Sequence, residues 1–289
     1  AEAGKDYNTV DISERTLRDV FLPPFKAAFE AGAGSVMSAF NEISGIPASA
    51  NPFTLRTILR EEWGLAWPVV LSDYNAIREL INHGYAADLK EAAAKSVLAG
   101  VDMDMMGHAF SMHLAELVRE GVVPEARIDE AARRILCLKG MLGLFDNPYT
   151  DESWETQIVL REDHRQAALE VARRAMVLLK NEGGLLPLSP QMRRLALIGP
   201  LADDKAAPLG CWSYVGRAED VETVLEGIRA IWPGEIRHVQ GCEIAGEAEE
   251  IEAAVQAAQR AEVAVLVLGE SAAMSGEAHC RAHLGLPGK

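Results

Sequence analysis

At 289 residues, with 49% hydrophobic and 25% charged side chains, the chain has the composition of a globular protein large enough for one big domain or two ordinary ones. Its 43 acidic against 28 basic side chains leave a formal charge of −15, which argues against nucleic-acid backbones and anionic membrane surfaces as partners. No apolar run reaches the length of a membrane span, and the Arg pairs in "RRIL" and "ARRAM" read as polar stripes of amphipathic helices.

In chain order, "ERTLRDVFLPPFKAAFEAG" has helical spacing of Leu17, Val20, Phe21, Phe25 and Phe29, with a break expected at Pro23-Pro24. "GSVMSAF" reads as a strand, "NEISGIPASANP" as a polar loop, "FTLRTILREEW" as a helix and "PVVLSD" as a strand. "NAIRELINHG" and "LKEAAAKSVLAG" follow as helices, the second stopped by Gly100, and "VDMDMM" as a third strand. "FSMHLAELVREG" and "EARIDEAARRILCLKGMLG" complete the first half as helices. Short apolar strands alternating with amphipathic helices mean parallel β-structure with helical crossovers.

"LFDNPYTDESWETQIV" breaks the pattern and reads as an interdomain linker. A long helix, "REDHRQAALEVARRAMVLLKN", opens the second half. Strands "RLALIG", "EIRHV" and "EVAVLVLG" then alternate with helices "VETVLEGIRAIW" and "EEIEAAVQAAQRA". Each half offers three strands, fewer than the eight of a (β/α)8 barrel. The N-terminal "AEAGKDYNTV" carries no initiating Met and no signal-peptide pattern. The expectation is an interior slice of a longer protein, one that exposes sheet edges and helix faces and is prone to associate.

The chemistry concentrates where strands end. Asp73 closes "PVVLSD", Asp102 and Asp104 lie in the next strand, and Asn41 and Glu42 follow the strand before. Carboxyl ends of parallel strands face a common cleft, so these groups are expected to line one mouth. The alternative for Asp73 or Asn75 is to cap the helix near Ala76. Cys137, Cys211, Cys242 and Cys280 are widely spaced and read as buried or incidental thiols. No ligand spacing suggests a metal, and no cofactor motif is present.

Several of these stretches together resemble glycoside hydrolase family 3, the β-glucosidase group. They are the run from "KDYNTVDISERTL" through "FNEISGIPASANPFTLRTILREEWG" into "VVLSDYNAI", then "AGVDMDM", the "RRIL" helix, "GLFDNPY", "VLLKNEGGLLPL" and "ALIGPLADDK". They occur in the family's order along almost the whole chain. The resemblance implies the C-terminal part of a (β/α)8-like barrel over residues 1–145, a linker over 146–160, and the beginning of an α/β/α sandwich over 161–289. It also implies an active site between the two domains.

The resemblance implies a retaining exo-β-glycosidase acting on β-glucosides or short β-linked oligosaccharides, with Asp73 as nucleophile. Tyr74 departs from the family's usual Trp or His but keeps a ring. Such an enzyme needs no metal or cofactor, because two carboxyls supply nucleophile, acid and base. Ionised Asp73 is expected to have hydrogen-bond donors beside it. Glu277, in "LGESAAMSGEAHCRAHLGLPG", is a candidate acid/base or pocket residue, with Arg281 beside it. The competing readings are a surface loop with an internal Glu–Arg pair, and an acid/base Glu in a later Pro-Gly segment.

Met37 and Phe40 match positions near the sugar-binding wall, with core packing as the alternative for Met37. Trp63 and Trp67 are expected to pack helix against barrel, and Trp212 to lie in a loop near the site or in the second domain's packing. Lys5 and Asp6 are not the family's upstream Lys-His pair, and His83, His108 and His113 sit in other contexts. The isolated chain is therefore expected to be inactive. A homodimer is a candidate assembly, and a periplasmic or secreted location fits the family. β-Xylosidase activity on the same scaffold and a non-catalytic carbohydrate-binding fragment are the alternatives.

Overall fold

The computed structural model describes residues 7–246, 250–277, 279 and 281–288; Lys5, Asp6 and Cys280 lie outside them. The chain divides into two compact units, Ala1–Glu152 and Ser153–Lys289, both mixed α/β.

Unit 1 opens with α1 (Glu14–Thr16), capped by the Ser13 hydroxyl, and continues through a π-helical turn, Leu17–Phe21, into α2 (Leu22–Glu30). The expected break at Pro23-Pro24 does not occur. The prolines occupy the first turn of α2, where an amide hydrogen is not required, and the widened turn before them absorbs the misfit. Phe29 is buried and tilts against Trp63 at 6.4 Å between ring centroids.

Strand β1 (Ser35–Ser38) pairs in parallel with β4 (Val69–Ser72), aligning Ser38 with Ser72. Between them, the stretch read as a polar loop contains a small antiparallel hairpin, β2 (Glu42–Ile43) with β3 (Ile46–Pro47). A π-helical segment, Phe53–Glu62, follows and buries Leu55, Ile58 and Leu59. Beyond β4 come α3 (Ala76–Glu79), α4 (Leu89–Ala99), α5 (Ala109–Arg119) and α6 (Glu125–Met141). Helix α4 is capped by Asp88, whose side chain accepts from the Glu91 N–H. Its buried alanines let it lie deep in a core containing Val70, Ile77, Leu80 and Val101.

"VDMDMM" is not a regular strand: Met103 makes only an isolated bridge to Leu71. The Asp102 carboxylate is the reason. Its Oδ2 accepts the Val70 N–H at 3.0 Å, taking a donor that a continuing ladder would use. The same carboxylate accepts from Arg127 at 2.8 Å, Arg134 at 2.9 Å and Arg60 at 3.3 Å, and it is fully buried. The three guanidiniums also bind backbone carbonyls: Val97 and Val101 for Arg127, Ala66 for Arg134, and Leu65 and Pro68 for Arg60. Burial, with Arg134 nearby, pulls the Arg60 guanidinium down to about 10 against the pull of Asp102. Arg134 of "RRIL" is therefore interior, while Arg133 is exposed. Burial alone would raise the Glu130 carboxyl, but Arg134 and Arg127 outweigh it and hold it below its ordinary value.

Unit 2 holds α7 (Ser153–Ile158) and α8 (Glu162–Ala175). Helix α8 stops at Ala175 instead of running on to Asn181, and none of its side chains is buried. The rest is a parallel sheet of order β6–β5–β7, with β5 (Arg194–Ile198) central between β6 (Glu235–Val239) and β7 (Val263–Leu266). Leu195 and Leu197 pack with Leu225 and Ile228 of α9 (Val224–Ile231). Ala196 and Ile198 pack with Ala254 and Ala257 of α10 (Ile251–Arg260). The period-two alternation of β5 thus serves one helix on each face. A Cβ on Gly199, at φ +133°, would lie 2.1 Å from the Val267 carbonyl oxygen, so the end of β5 requires glycine. Among the described cysteines, Cys137 and Cys211 are exposed and Cys242 half-buried, which leaves the incidental of the two expected readings for these three. No described helix is long and apolar enough to cross a membrane.

Replacing Asp102 with Asn keeps the shape but leaves three arginines without their central anion. The expected loss is about 3–5 kcal/mol of unit 1 stability, read as a lower urea midpoint. Glu262 accepts the backbone N–H groups of both Arg193 and Arg194 at 2.9 Å, which hold its carboxyl below the ordinary 4.5. A depressed carboxylate stabilises above its unfolded-state pKa and loses that contribution as pH falls through the folded-state value. Glu262→Gln should therefore flatten the fall of unit 2 stability below pH about 4.5, measured by thermal melts across pH.

Candidate active site

Asp73 follows β4 directly. Its N–H donates to the Ser38 carbonyl at 3.0 Å, so the β1–β4 ladder is carried one residue past the strand end. The buried Ser72 hydroxyl donates to the Asp73 carbonyl at 2.9 Å and accepts the Met105 N–H at 2.8 Å. Asn75 stands at φ +61°, and its N–H donates to Met105 O. The chain therefore turns sharply and is tied on both sides. Asp73 carries the expected donor beside its carboxylate: Oδ1 accepts the Tyr74 N–H at 2.7 Å. Helix α3 has no side-chain cap from Asn75, and the Ala76 N–H goes to the Asp73 carbonyl rather than its carboxylate. The capping alternative for both residues is thus not realised.

Around this strand end, Tyr74 is 54% and Met37 49% exposed, so Met37 is not packed into the core. Phe40 is half-buried and meets Tyr7 edge-on at 4.4 Å. The other acidic and amide groups expected to share the mouth have different duties. Asp102 is locked into the arginine cluster. Asp104 accepts the N–H groups of Gly107 and Phe110, both at 3.2 Å, and so braces the start of α5. Asn41 donates to Asn8 O at 2.8 Å. Glu42 pairs with His83 at 2.7 Å, an interaction the sequence reading missed because 41 residues separate the partners. Trp63 packs on the unit 1 core, whereas Trp67 is 37% exposed.

In unit 2, Glu277, Trp212, Cys211 and His279 line an open cavity of about 390 Å³ with Ser275 and Gly276. Arg281 pairs with Glu270 at 2.9 Å and donates to Gly285 O at 3.0 Å. The loop's arginine pair is thus made with Glu270. A larger cavity of unit 1, about 610 Å³, is lined mainly by apolar side chains of α5 and α6 with Met103 and Asp104. Asp73 is not among its lining residues. No group of three or more His, Cys, Asp or Glu able to hold a metal occurs among the described residues.

The model of the glycosyl hydrolase family 3 N-terminal domain matches residues 1–138, and that of its C-terminal domain matches residues 176–289. The chain belongs to glycoside hydrolase family 3. It is 39% identical to a periplasmic β-glucosidase of Salmonella typhimurium, over 99% of this chain and 41% of that protein. It is 36% identical to a β-xylosidase of Formosa agariphila, over 96% of this chain and 41% of that one. The crystal structure of a β-glucosidase from Listeria innocua in complex with glucose superposes with a TM-score of 0.90 at 40% identity, covering 99% of this chain and 39% of that chain. The chain thus spans about 40% of the length of these relatives.

Ser72→Ala removes the acceptor of the half-buried Met105 N–H, a loss of about 0.5–1.5 kcal/mol. Native-state hydrogen exchange should show the Met105 amide exchanging faster, with α10 amides unchanged.

Proposed function

We propose that the protein is part of a retaining exo-β-glycosidase that removes terminal β-D-glucosyl residues from β-glucosides or short oligosaccharides. The observation that carries this is the Asp73 carboxylate, held at the end of a parallel strand by backbone bonds on both sides, in a chain whose family is established. In this reading Asp73 attacks the anomeric carbon, the leaving oxygen departs, and a covalent glycosyl ester forms. Glu277 first gives its proton to that oxygen, then takes one from the water that breaks the ester. The two carboxyls would need to come to about 5–5.5 Å.

Tyr74, Met37 and Phe40 form the apolar wall for the pyranose, consistent with the exposure of Tyr74 and Met37. Arg281 contributes from the Glu277 loop. The proposed architecture is the C-terminal part of a (β/α)8-like barrel over 1–145, a linker over 146–160 and the start of an α/β/α sandwich over 161–289. A β-xylosidase is the second reading, favoured by the likeness to the Formosa protein of that name.

The test is covalent trapping in a polypeptide of the relatives' full length. A 2-deoxy-2-fluoro-β-glucoside should add one sugar mass to the peptide containing Asp73; label on any other residue overturns the nucleophile assignment. Glu277→Ala should lower hydrolysis of an unactivated glucoside by about 10²–10⁴-fold, with azide restoring turnover of an activated aryl glucoside. Relative kcat/KM for aryl glucoside and aryl xyloside separates the two substrate readings.

A further inference from the structure

Phe40 stands just past the end of β1, and the main chain on either side of it is pinned. The Ser38 carbonyl accepts the Asp73 N–H at 3.0 Å, and the buried Ser38 hydroxyl meets that of Ser49 at 2.8 Å. The Asn41 carbonyl accepts the Ala48 N–H at 2.9 Å, closing the base of the β2–β3 hairpin. The segment Tyr7–Val10 is clipped to the same hairpin. Its Asn8 carbonyl accepts from the Asn41 side chain at 2.8 Å. The Val10 N–H donates to the Glu42 carbonyl at 2.8 Å, and the Ser44 N–H donates to the Val10 carbonyl at 3.0 Å.

With its main chain placed in this way, Phe40 keeps only the freedom of its side chain. Tyr7 limits that. The two half-buried rings meet at 4.4 Å between centroids with an interplanar angle of 86°, the edge-to-face arrangement that aromatic quadrupoles favour. Whichever ring offers its edge, at least one face of Phe40 is left unused by Tyr7, and a ring face is the surface a pyranose packs on. Holding Tyr7 there has a cost. It sits at φ +61°, and Ser44 across the clip at φ +52°, in the left-handed region that a bulky side chain seldom enters. Such strain persists only where the surroundings over-determine it, and the bonds of the clip do so.

We propose that Tyr7 is a positioning residue for sugar affinity, acting through Phe40: the clip brings Tyr7 to the loop after β1, and its ring holds the Phe40 ring with a face toward the pyranose. Tyr7 itself touches no substrate. The role rests on the reading of Phe40 as part of the sugar wall. A wall contact holds the glucosyl ring in the ground state and the transition state alike. Loosening it therefore removes uniform binding, which raises KM and leaves kcat in place.

The experiment is a double-mutant cycle in a polypeptide of the relatives' full length, read as KM and kcat for whichever of an aryl β-glucoside and an aryl β-xyloside it turns over. Tyr7→Leu should raise KM about 2–10-fold, with kcat within about 2-fold of the parent. Tyr7→Phe, which keeps the ring, should restore the parent KM. Phe40→Leu should raise KM at least as much as Tyr7→Leu, and combining the two should raise it no further. A purely structural Tyr7 would lower the melting temperature and give effects that add. Unchanged KM in Tyr7→Leu, or additivity with Phe40→Leu, overturns the proposal and leaves the wall reading intact. Unchanged KM in Phe40→Leu overturns the wall reading and with it the role of Tyr7. Turnover of neither substrate overturns the glycosidase reading on which both stand. Should Tyr7→Leu impair folding, Asn41→Ala loosens the clip without altering either ring. Its KM should then rise when Phe40 is present and not in Phe40→Leu; an equal rise in both overturns the proposal.

Discussion

The interior of unit 1 is organised around one buried carboxylate. Asp102 gathers Arg60 from the π-helical segment and Arg127 and Arg134 from α6, and it also takes the Val70 amide of β4. Three cations on one anion would be untenable in a low-dielectric interior. The arginines are tolerable because backbone carbonyls around residues 65–68 and 97–101 accept their remaining hydrogens, and Glu130 adds a second negative charge. The carbonyls that do this belong to the segments leading into β4 and out of α4. The cluster therefore fixes where β4 begins, and the strand's rigidity carries that position along Val69–Ser72 to Asp73.

The far end of β4 is held by a different means. There the bonds are backbone to backbone and hydroxyl to backbone: Asp73 to Ser38, Ser72 to Met105 and Asn75 to Met105. None of them uses the Asp73 carboxylate. A charged anchor at one end and neutral anchors at the other hold the chain firmly while leaving the acidic group available. In unit 2 the same economy appears at the start of the central strand. Glu262, beside β7, accepts two backbone donors at the head of β5.

Much of this was legible in the sequence where periodicity is strong. The strands of unit 2 and the helices α4, α5, α6, α9 and α10 follow directly from apolar spacing, and the parallel arrangement follows from their alternation. Three features escaped it for identifiable reasons. "VDMDMM" has the composition of a strand, but its first aspartate is drawn inward by arginines 25 to 42 residues away, which no local window contains. The paired prolines signal a helix break, whereas a widened turn before them accommodates the missing donors. "MVLLKN" continues the apolar pattern of α8, yet the backbone leaves the helix at Ala175. The place of Asp73 after a strand and before a turn was legible from pattern, whereas the nucleophile role proposed for it rests on the family resemblance alone. The Glu42–His83 contact was legible through neither.

Asp73 and Asp102 differ in what the surrounding structure asks of their carboxylates. Both follow apolar stretches in the same parallel arrangement, and both belong to stretches that resemble the family. Asp102 has both oxygens engaged by charged or backbone donors and no access to solvent; freeing a lone pair there would expose unpaired arginines. Asp73 is half-buried and, among the described residues, accepts the Tyr74 amide on one oxygen. A nucleophile must be oriented yet retain an unshared pair for bond formation. Orientation at Asp73 comes from its backbone, so its second oxygen bears no structural duty. Freeing an oxygen of Asp102 would demand moving the arginines, and with them the origin of β4.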